Sequence, residues 1–371
     1  MCIRDRVYSL KIEKKNLPVY LLFFIMSFCK GINLTKDSFI YLLIFAASVV
    51  LLIFKIYDEK YTRKEIYMTG LFLTLGALIY FIGKNTTPLF FAITISCLKN
   101  VDLKKVIKII FFTKLVSFAL MIFLTSTGII ENKVLIHVRE GVGLTKRYYF
   151  GYSHPNLAQM HLLTLTLMYY YLYGKKHNFI VDVIALSLNY ILYLFTYSRT
   201  ALYMCIIFLI VNYFTNRSEK SKKKFALIGK YSFFIMFIIT IVLTLTYKTN
   251  ITQRVDTILT GRIYYWDALW KNFSIPLIGT LKYKTNVELI IDNSYLALLY
   301  QSGILFTVLI SIMNWKLGNT LYKEKKYELL VVLFFINMFC LTEDFYMIPV
   351  INFVALYYQR VLFNGKTIRT E

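Results

Sequence analysis

A histidine and an asparagine lie close together in the polar segment 151–159 (GYSHPNLAQ), directly before a long apolar run. Ser153 or Asn156 could cap a helix that starts here, and Pro155 suits its first turn. A helix cap does not require an imidazole, however. His154 could donate a hydrogen bond to an oxyanion or accept a hydroxyl proton. The segment therefore predicts either a capped helix start or an acid–base site.

Arg199 and Arg262 each lack an acidic residue three or four positions away, which are the spacings of helical ion pairs, so we expect both guanidinium groups to have no acidic partner. Arg199 lies in the turn YSRTA, and Arg262 opens the aromatic segment GRIYYWDALW. Each could snorkel to a membrane interface or hold a phosphate oxygen with its planar guanidinium. In the same aromatic segment, Asp267 and Lys271 have the spacing of an ion pair.

Carboxylates accompany these basic groups later in the chain. Asp292 opens the segment DNSYLALLYQSG, where it could cap a helix or act as a general base toward a hydroxyl. Glu343 and Asp344 lie in a short break between the last two apolar runs. Lys114 differs from all of these, because it lies inside an apolar run, about 12 Å deep by helix rise. Ionisable groups at such depth are functional by default.

The composition requires a membrane to position these residues. Of 371 residues, 58% are hydrophobic and only 17% are charged, and the mean hydropathy is +0.57. These values exclude a soluble globular domain. The net charge of +23 comes from basic clusters between apolar runs, where lysine and arginine orient spans and meet anionic lipid. We therefore expect membrane lipid as a partner and no nucleic acid.

Apolar runs separated by polar breaks predict an all-α polytopic membrane protein with about twelve transmembrane helices. Several runs are short for a span, so 87–98 could be re-entrant. The predicted helices are 17–33, 38–54, 66–83, 87–98, 106–128, 154–173, 179–196, 200–215, 226–247, 293–313, 328–342 and 347–363.

The distribution of lysine and arginine predicts the orientation of these spans. Basic residues concentrate in alternate connections, which the positive-inside rule assigns to the cytoplasm. We expect a cytoplasmic N-terminal tail (1–16), a single transmembrane domain (17–363) and a cytoplasmic C-terminal tail (364–371). Two longer loops, 129–153 and 248–292, then face outward and are candidates for function.

Within the second loop, residues 253–273 have an aromatic helical stripe. We expect one helix on the outer membrane surface, with Trp266 and Trp270 as interface anchors. The sequence has no glycine-rich phosphate loop, no HExxH, no DxD and no cysteine–histidine metal spacing. We therefore expect no metal site and no cofactor.

In this order, the segments resemble the bacterial polysaccharide repeat-unit polymerases (Wzy type) and the related O-antigen ligases. The resemblance rests on the GYSHPN segment, the SRT turn, the Gly-Arg helix with its tryptophans and the Asn-x-Tyr-Leu…Gly stretch. It implies an inverting, metal-independent transfer of oligosaccharide repeat units linked through diphosphate to a polyprenyl lipid. Polymerisation for a capsule, exopolysaccharide or O-antigen would take place at the outer face of the bacterial cytoplasmic membrane.

The resemblance also implies roles for individual residues. Arg199 and Arg262 would stabilise the diphosphate leaving group, and His154 or Asp292 would handle the acceptor proton. Asp292 stands where the ligases have a histidine before the asparagine. Further substrate contacts would come from Asn156, Arg139, Asn293, Tyr295 and Glu343.

Two alternative functions remain open at this stage. A ligase would use the same surface but transfer finished polymer to another acceptor. A flippase or other transporter of the lipid-linked sugar would place its cations near mid-membrane, and Lys114 favours that hypothesis. A polymerase would have a flippase and a chain-length regulator as possible partners.

Overall fold

A computed structural model describes residues 3–34, 38–139, 143–174, 178–279 and 291–363, without the side chains of 3–13 and 137–139. The protein is mostly helical, with 76% helix and 3% strand. The helical class predicted from the sequence is therefore confirmed. The predicted C-terminal tail 364–371 lies outside the described residues.

The helices lie mainly in the predicted apolar runs. In chain order they are α1 Ile3–Gly31, α2 Phe39–Asp58, α3 Arg63–Gly83, α4 Thr86–Ser96, α5 Leu103–Ser126, α6 Pro155–Tyr173, α7 Phe179–Thr196, α8 Arg199–Arg217, α9 Glu219–Leu245, α10 Asn250–Ile258, α11 Arg262–Asn272, α12 Ser294–Ala297, α13 Ile304–Lys323, α14 Tyr327–Phe339 and α15 Gln359–Leu362. α6 packs against α5, α7 and α8, and α9 packs against α8, α13 and α14. Helix α1 begins well before residue 17, so most of the predicted N-terminal tail continues the first helix.

Seven of the described helices are long and apolar enough to cross a membrane: α2, α3, α5, α7, α8, α9 and α13. These helices are typical of an all-α membrane protein. Two other predicted spans form short apolar helices, with 11 residues in α4 and 13 in α14. Length and composition thus support seven spans among the described residues, and the count of twelve is unconfirmed.

The last predicted span contains no long helix. Residues 347–363 form irregular turns, a 3-10 helix Phe353–Tyr358 and the single turn of α15. The side chains of the 3-10 helix are all buried. An apolar run indicates that its residues are buried. Residues buried among other helices need not form a helix themselves.

The predicted span 293–313 is interrupted. After α12, a π-helical turn Leu298–Ser302 leads to Gly303, whose φ of 86° ends the first helical part. The N–H groups of Ile304 and Leu305 donate to the carbonyls of Pro276 and Leu277, at 2.9 and 3.2 Å. A side chain on Gly303 would meet Leu277 O at 2.8 Å, so glycine permits this close approach. Broken helices within bundles are stabilised in this way by neighbouring protein groups.

The predicted surface helix 253–273 is also divided in two. Thr260 and Gly261 have positive φ values of 62° and 80°, which end α10 and start α11. Trp266 is 1% exposed and packs with Ile263, Leu269, Leu296 and Tyr300. The expectation that Trp266 anchors the helix in a membrane interface is therefore wrong.

Because Trp266 fixes α11 to the bundle, we expect Trp266→Ala to reduce the free energy of unfolding by about 3–5 kcal/mol, the usual cost of removing a buried tryptophan. The neighbouring Tyr265 is 41% exposed, and Tyr265→Ala is the matched control. Thermal unfolding of the purified variants measures the difference. Equal midpoints for the two variants would contradict the buried position of Trp266.

A β-hairpin occupies most of the first long loop, and the sequence did not predict it. Strands β1 Val134–Arg139 and β2 Gly143–Tyr148 are antiparallel, with Leu135 opposite Arg147. Along β2, Leu144 and Lys146 are exposed whereas Thr145 and Arg147 are buried. The two-residue period of a strand thus directs Arg147 toward the helices.

Candidate functional site

His154 forms the N-cap of α6. Its Nδ1 accepts a hydrogen bond from the Asn156 backbone N–H at 3.2 Å, and Pro155 occupies the first turn. The predicted helix start is confirmed, but the cap is the imidazole and not Ser153 or Asn156. Nδ1 must be unprotonated to accept this bond, so the neutral ring carries its proton on Nε2.

The surroundings of His154 keep its ring neutral. Burial, and then the positive charges of Arg147 and Arg262, lower the pKa of His154 to about 4. At neutral pH, His154 can therefore donate a hydrogen bond through Nε2–H. Its use of Nδ1 as a helix cap makes it a poor acceptor for a substrate proton at that nitrogen.

Arg262 is held between two carboxylates. Its Nη1 lies 2.9 Å from Asp292 Oδ2, and its Nη2 donates to Glu343 Oε1 at 3.1 Å. The prediction that Arg262 has no acidic partner is therefore wrong. The partners are 30 and 81 residues away in the chain, and only the folding of α11 against the start of α12 and the 343 turn brings them together.

The guanidinium of Arg262 is mostly buried. Its side chain is 11% exposed, and its Nη1, which is itself buried, faces the carboxylate of Asp292. Burial lowers the pKa of Arg262, but Glu343 and Asp292 outweigh this effect and the net shift is upward. Arg262 thus stays charged between the two carboxylates.

Glu343 lies at the centre of the polar cluster. Its Oε1 accepts from Arg262 and also from Asn156 Nδ2 at 3.1 Å, and its backbone carbonyl accepts from Ser294 Oγ at 2.7 Å. Burial raises the pKa of Glu343, and the nearby negative charge of Asp292 adds to this rise although Arg262 opposes it. A carboxylate with a raised pKa is a stronger proton acceptor than an ordinary glutamate.

Asp292 is not the helix cap that the sequence allowed. Asn293 caps α12, with its Oδ1 accepting the backbone N–H groups of Tyr295 and Leu296 at 2.9 and 3.0 Å. The carboxylate of Asp292 therefore remains for Arg262 and for Trp266, whose Nε1 donates to Oδ1 at 3.2 Å. The side chain of Asp292 is 20% exposed.

The sequence indicated Asn293 and Tyr295 as substrate contacts, but their side chains make hydrogen bonds inside the protein. Both residues are fully buried. The amide of Asn293 donates to Thr240 Oγ1 and Leu341 O, at 3.2 and 3.0 Å. The hydroxyl of Tyr295 donates to Asn337 O at 2.8 Å. These contacts fix α12 beside Asp292, so Asn293 and Tyr295 help to position the Asp292 carboxylate.

Arg147 belongs to the cluster but was missed in the sequence. Its Nε donates to Thr196 O at 2.7 Å, and its Nη2 donates to Asn156 Oδ1 at 2.5 Å. It is 7% exposed. The only sequence signal was the strand-like alternation of GLTKRY. That alternation does not show whether Arg147 or Lys146 faces the helices until it is known which face of the hairpin packs against them.

Arg199 is the first residue of α8, three positions after Thr196. Within the described chain, its side chain makes no ion pair or hydrogen bond, unlike that of Arg262. The expectation of an uncompensated arginine stays a prediction for Arg199. The contact of Arg147 with Thr196 ties this turn to the cluster.

The side chain of Arg139 lies outside the described residues. The predicted pair of Asp267 and Lys271 is present.

One continuous series of polar contacts therefore links β2, α6, the 343 turn, α11 and the start of α12. It runs from Arg147 through Asn156, Glu343 and Arg262 to Asp292. The cluster combines buried guanidinium groups, which bind oxyanions, with carboxylates that can accept a proton. Among the described residues, no group of three His, Cys, Asp or Glu side chains is arranged to hold a metal ion.

The chain matches no protein-family model, and no curated protein or solved structure is significantly similar to it. The chemistry and geometry of the cluster therefore carry the functional conclusion.

Proposed function

We propose that the protein is a membrane glycosyltransferase that polymerises polyprenyl-diphosphate-linked oligosaccharide repeat units. One observation carries the proposal: segments that are far apart in the chain meet in one polar cluster. The start of α6, the Gly-Arg helix and the Asp-Asn segment supply His154, Arg262 and Asp292. The SRT turn is attached through Arg147. These are the segments on which the resemblance to the polymerases rests.

The transfer requires a base for the attacking hydroxyl. In the proposed reaction, an acceptor hydroxyl oxygen attacks the anomeric carbon of the growing chain, and the bond from that carbon to the diphosphate oxygen breaks with inversion. Glu343 accepts the hydroxyl proton, because its carboxylate lies at the centre of the cluster, is 14% exposed and has a raised pKa. Asp292 keeps Arg262 in place, and His154 donates from Nε2–H to a sugar oxygen.

The diphosphate leaves with both bonding electrons, so negative charge develops on its oxygen. Arg199 makes no ion pair with described residues and meets this charge directly. Arg262, which stays charged in the cluster, adds its positive charge. Fixed donors in a site poor in water stabilise such charge more strongly than water does. Arg262 also donates to Glu343, so the same guanidinium contacts the proposed base and stabilises the leaving diphosphate.

The same proposal places the protein in the bacterial cytoplasmic membrane, with both termini cytoplasmic and the cluster at the outer face. The basic connections of the sequence support this orientation. The donor carries its own diphosphate, so the reaction needs no nucleotide and no cofactor. A flippase that supplies the lipid-linked units and a chain-length regulator are the proposed partners.

Purified protein in detergent, mixed with lipid-linked repeat units alone, tests the proposal. We expect a ladder of oligomers without any nucleotide sugar, and we expect Arg199→Gln to reduce its rate by about 10²- to 10³-fold, as for a lost oxyanion donor. Arg254→Gln, on the exposed side of α10, is the control and should leave the rate unchanged.

Two results would contradict polymerisation. Unchanged repeat units in detergent, together with lipid-linked sugar moving across reconstituted vesicles, would identify a transporter. Product that appears only after a different acceptor is added, with one transfer and no ladder, would identify a ligase.

A further inference from the structure

Asn156 joins two charged groups that have opposite hydrogen-bonding needs. Its Oδ1 accepts from Arg147 Nη2 at 2.5 Å, and its Nδ2 donates to Glu343 Oε1 at 3.1 Å. A guanidinium has only donors, and an ionised carboxylate has only acceptors. Among side chains of this size, an aspartate would offer acceptors alone and a leucine neither. Only the amide bonds to both groups, and it does so in a single orientation.

The fold holds Asn156 in this position from two sides. Its backbone N–H donates to His154 Nδ1 at 3.2 Å in the first turn of α6. On the other side, the buried Arg147 uses Nε for Thr196 O, at 2.7 Å, and Nη2 for the Asn156 amide. Both N–H groups belong to one planar guanidinium. Arg147 therefore cannot turn away from Asn156 without losing its contact with the end of α7.

The amide donor acts on a carboxylate whose ionisation is finely balanced. Burial and the charge of Asp292 disfavour the ionised form of Glu343, whereas Arg262 and the N–H of Asn156 favour it. Other charged or titratable side chains near this contact are Arg147, His154 and the adjacent Asp344. Loss of the Asn156 donor would remove one of the two groups that hold a proton-accepting Glu343 ready.

We propose that Asn156 is a positioning residue for Glu343: its amide, oriented by Arg147, directs a fixed N–H donor at the carboxylate and keeps it ionised and in place. Asn156 thus acts through Glu343 and not on the substrate. The inference rests on the proposed function in one respect only, that Glu343 is the base of the transfer.

Asn156→Asp is the most specific test. The aspartate has nearly the same shape and can still accept from Arg147, but it presents an acceptor to Glu343 where the asparagine presents a donor. We expect the acid limb of the polymerisation rate to move to higher pH by about one to two pH units, the worth of a hydrogen bond to a charged group. Raising the pH should then restore part of the lost rate.

A second measurement does not require activity. Thermal midpoints are recorded against pH for the unchanged protein and for Asn156→Asp, each with and without Glu343→Gln, so that the difference isolates the titration of Glu343. A carboxyl group whose pKa is raised by folding stabilises the protein at low pH and loses this contribution as the pH rises through the folded-state pKa. The loss should occur at higher pH in Asn156→Asp.

Arg147→Met tests the orientation of the amide and serves also if Asn156→Asp does not fold. Without Arg147 the amide can rotate, so both pH curves should move in the same direction by a smaller amount. Two variants are matched controls and should leave both curves unchanged. Asn250→Asp makes the same change at the exposed first residue of α10, and Lys146→Met removes the exposed cation next to Arg147.

The outcomes separate this inference from the proposed function. A rate lowered by the same factor at every pH in Asn156→Asp and Arg147→Met, with thermal curves that do not move, would overturn the positioning of Glu343 by Asn156. If the unchanged protein forms no oligomers, the proposed function fails. The thermal curves then still support or contradict the contact between Asn156 and Glu343.

Discussion

Arg262→Ala is expected to abolish polymerisation and also to destabilise the protein. The substitution leaves Asp292 and Glu343 without their shared cation in a mostly buried site, and breaking such a pair from one side costs about 3–5 kcal/mol. The conservative Arg262→Lys keeps the charge, but an ammonium cannot reproduce the planar contacts to two carboxylates. We expect Arg262→Lys to fold and to polymerise about 10²- to 10³-fold more slowly.

A charge-neutral combination separates stability from catalysis. Arg262→Ala together with Asp292→Asn and Glu343→Gln removes the unpaired carboxylates, so the thermal midpoint should return toward that of the unchanged protein while activity stays absent. Arg254→Ala is the exposed control. A normal ladder formed by Arg262→Lys at the normal rate would remove Arg262 from the proposed mechanism.

Glu343→Gln is expected to reduce the polymerisation rate by about 10²- to 10⁴-fold, the usual contribution of a general base. The amide has nearly the same shape, and its oxygen can still accept from Arg262 and Asn156, so the fold should be retained. Rates with purified protein and lipid-linked units measure the effect. Asp344→Asn, at the next position, is the matched control.

The pH dependence of Glu343 has a definite sign. Burial raises its pKa above the ordinary value of 4.5. The rate should therefore fall on the acid side at a pH above 4.5, as Glu343 becomes protonated. Its contribution to stability has the opposite trend, because the protonated form is favoured in the folded state and this advantage is lost as pH rises through the folded-state pKa. A residual rate in Glu343→Gln with an unchanged acid limb would assign that limb to another group.

Helix positions were predictable where polar residues coincide with the ends of an apolar run. α7 occupies the predicted 179–196, with Asn178 as its side-chain cap. Prediction failed inside apolar runs, at Gly303 and in residues 347–363, because apolar character indicates burial and does not specify backbone conformation. It also failed at Gly261, where a left-handed residue divides a continuous aromatic stripe.

Most of the site residues were recognisable from their types, but their partners were not. His154, Arg262, Asp292 and Glu343 were all singled out in the sequence, and the structure brings them together. Local spacing made Arg262 look uncompensated, because ion-pair rules for helices extend over only one turn. Its actual partners come from other segments.

Composition and periodicity follow directly from residue types, so they are enough to predict a helical chain that is apolar enough for a membrane. Packing decides which charges meet, such as Arg262 with Asp292 and Glu343, that Arg147 donates to Asn156, and that Lys114 donates to Thr164 Oγ1. Hydrophobic burial can be predicted because it depends on the residues of each segment alone. An ion pair cannot, because it requires two charged atoms to lie within a few ångströms of each other, and only packing brings them together.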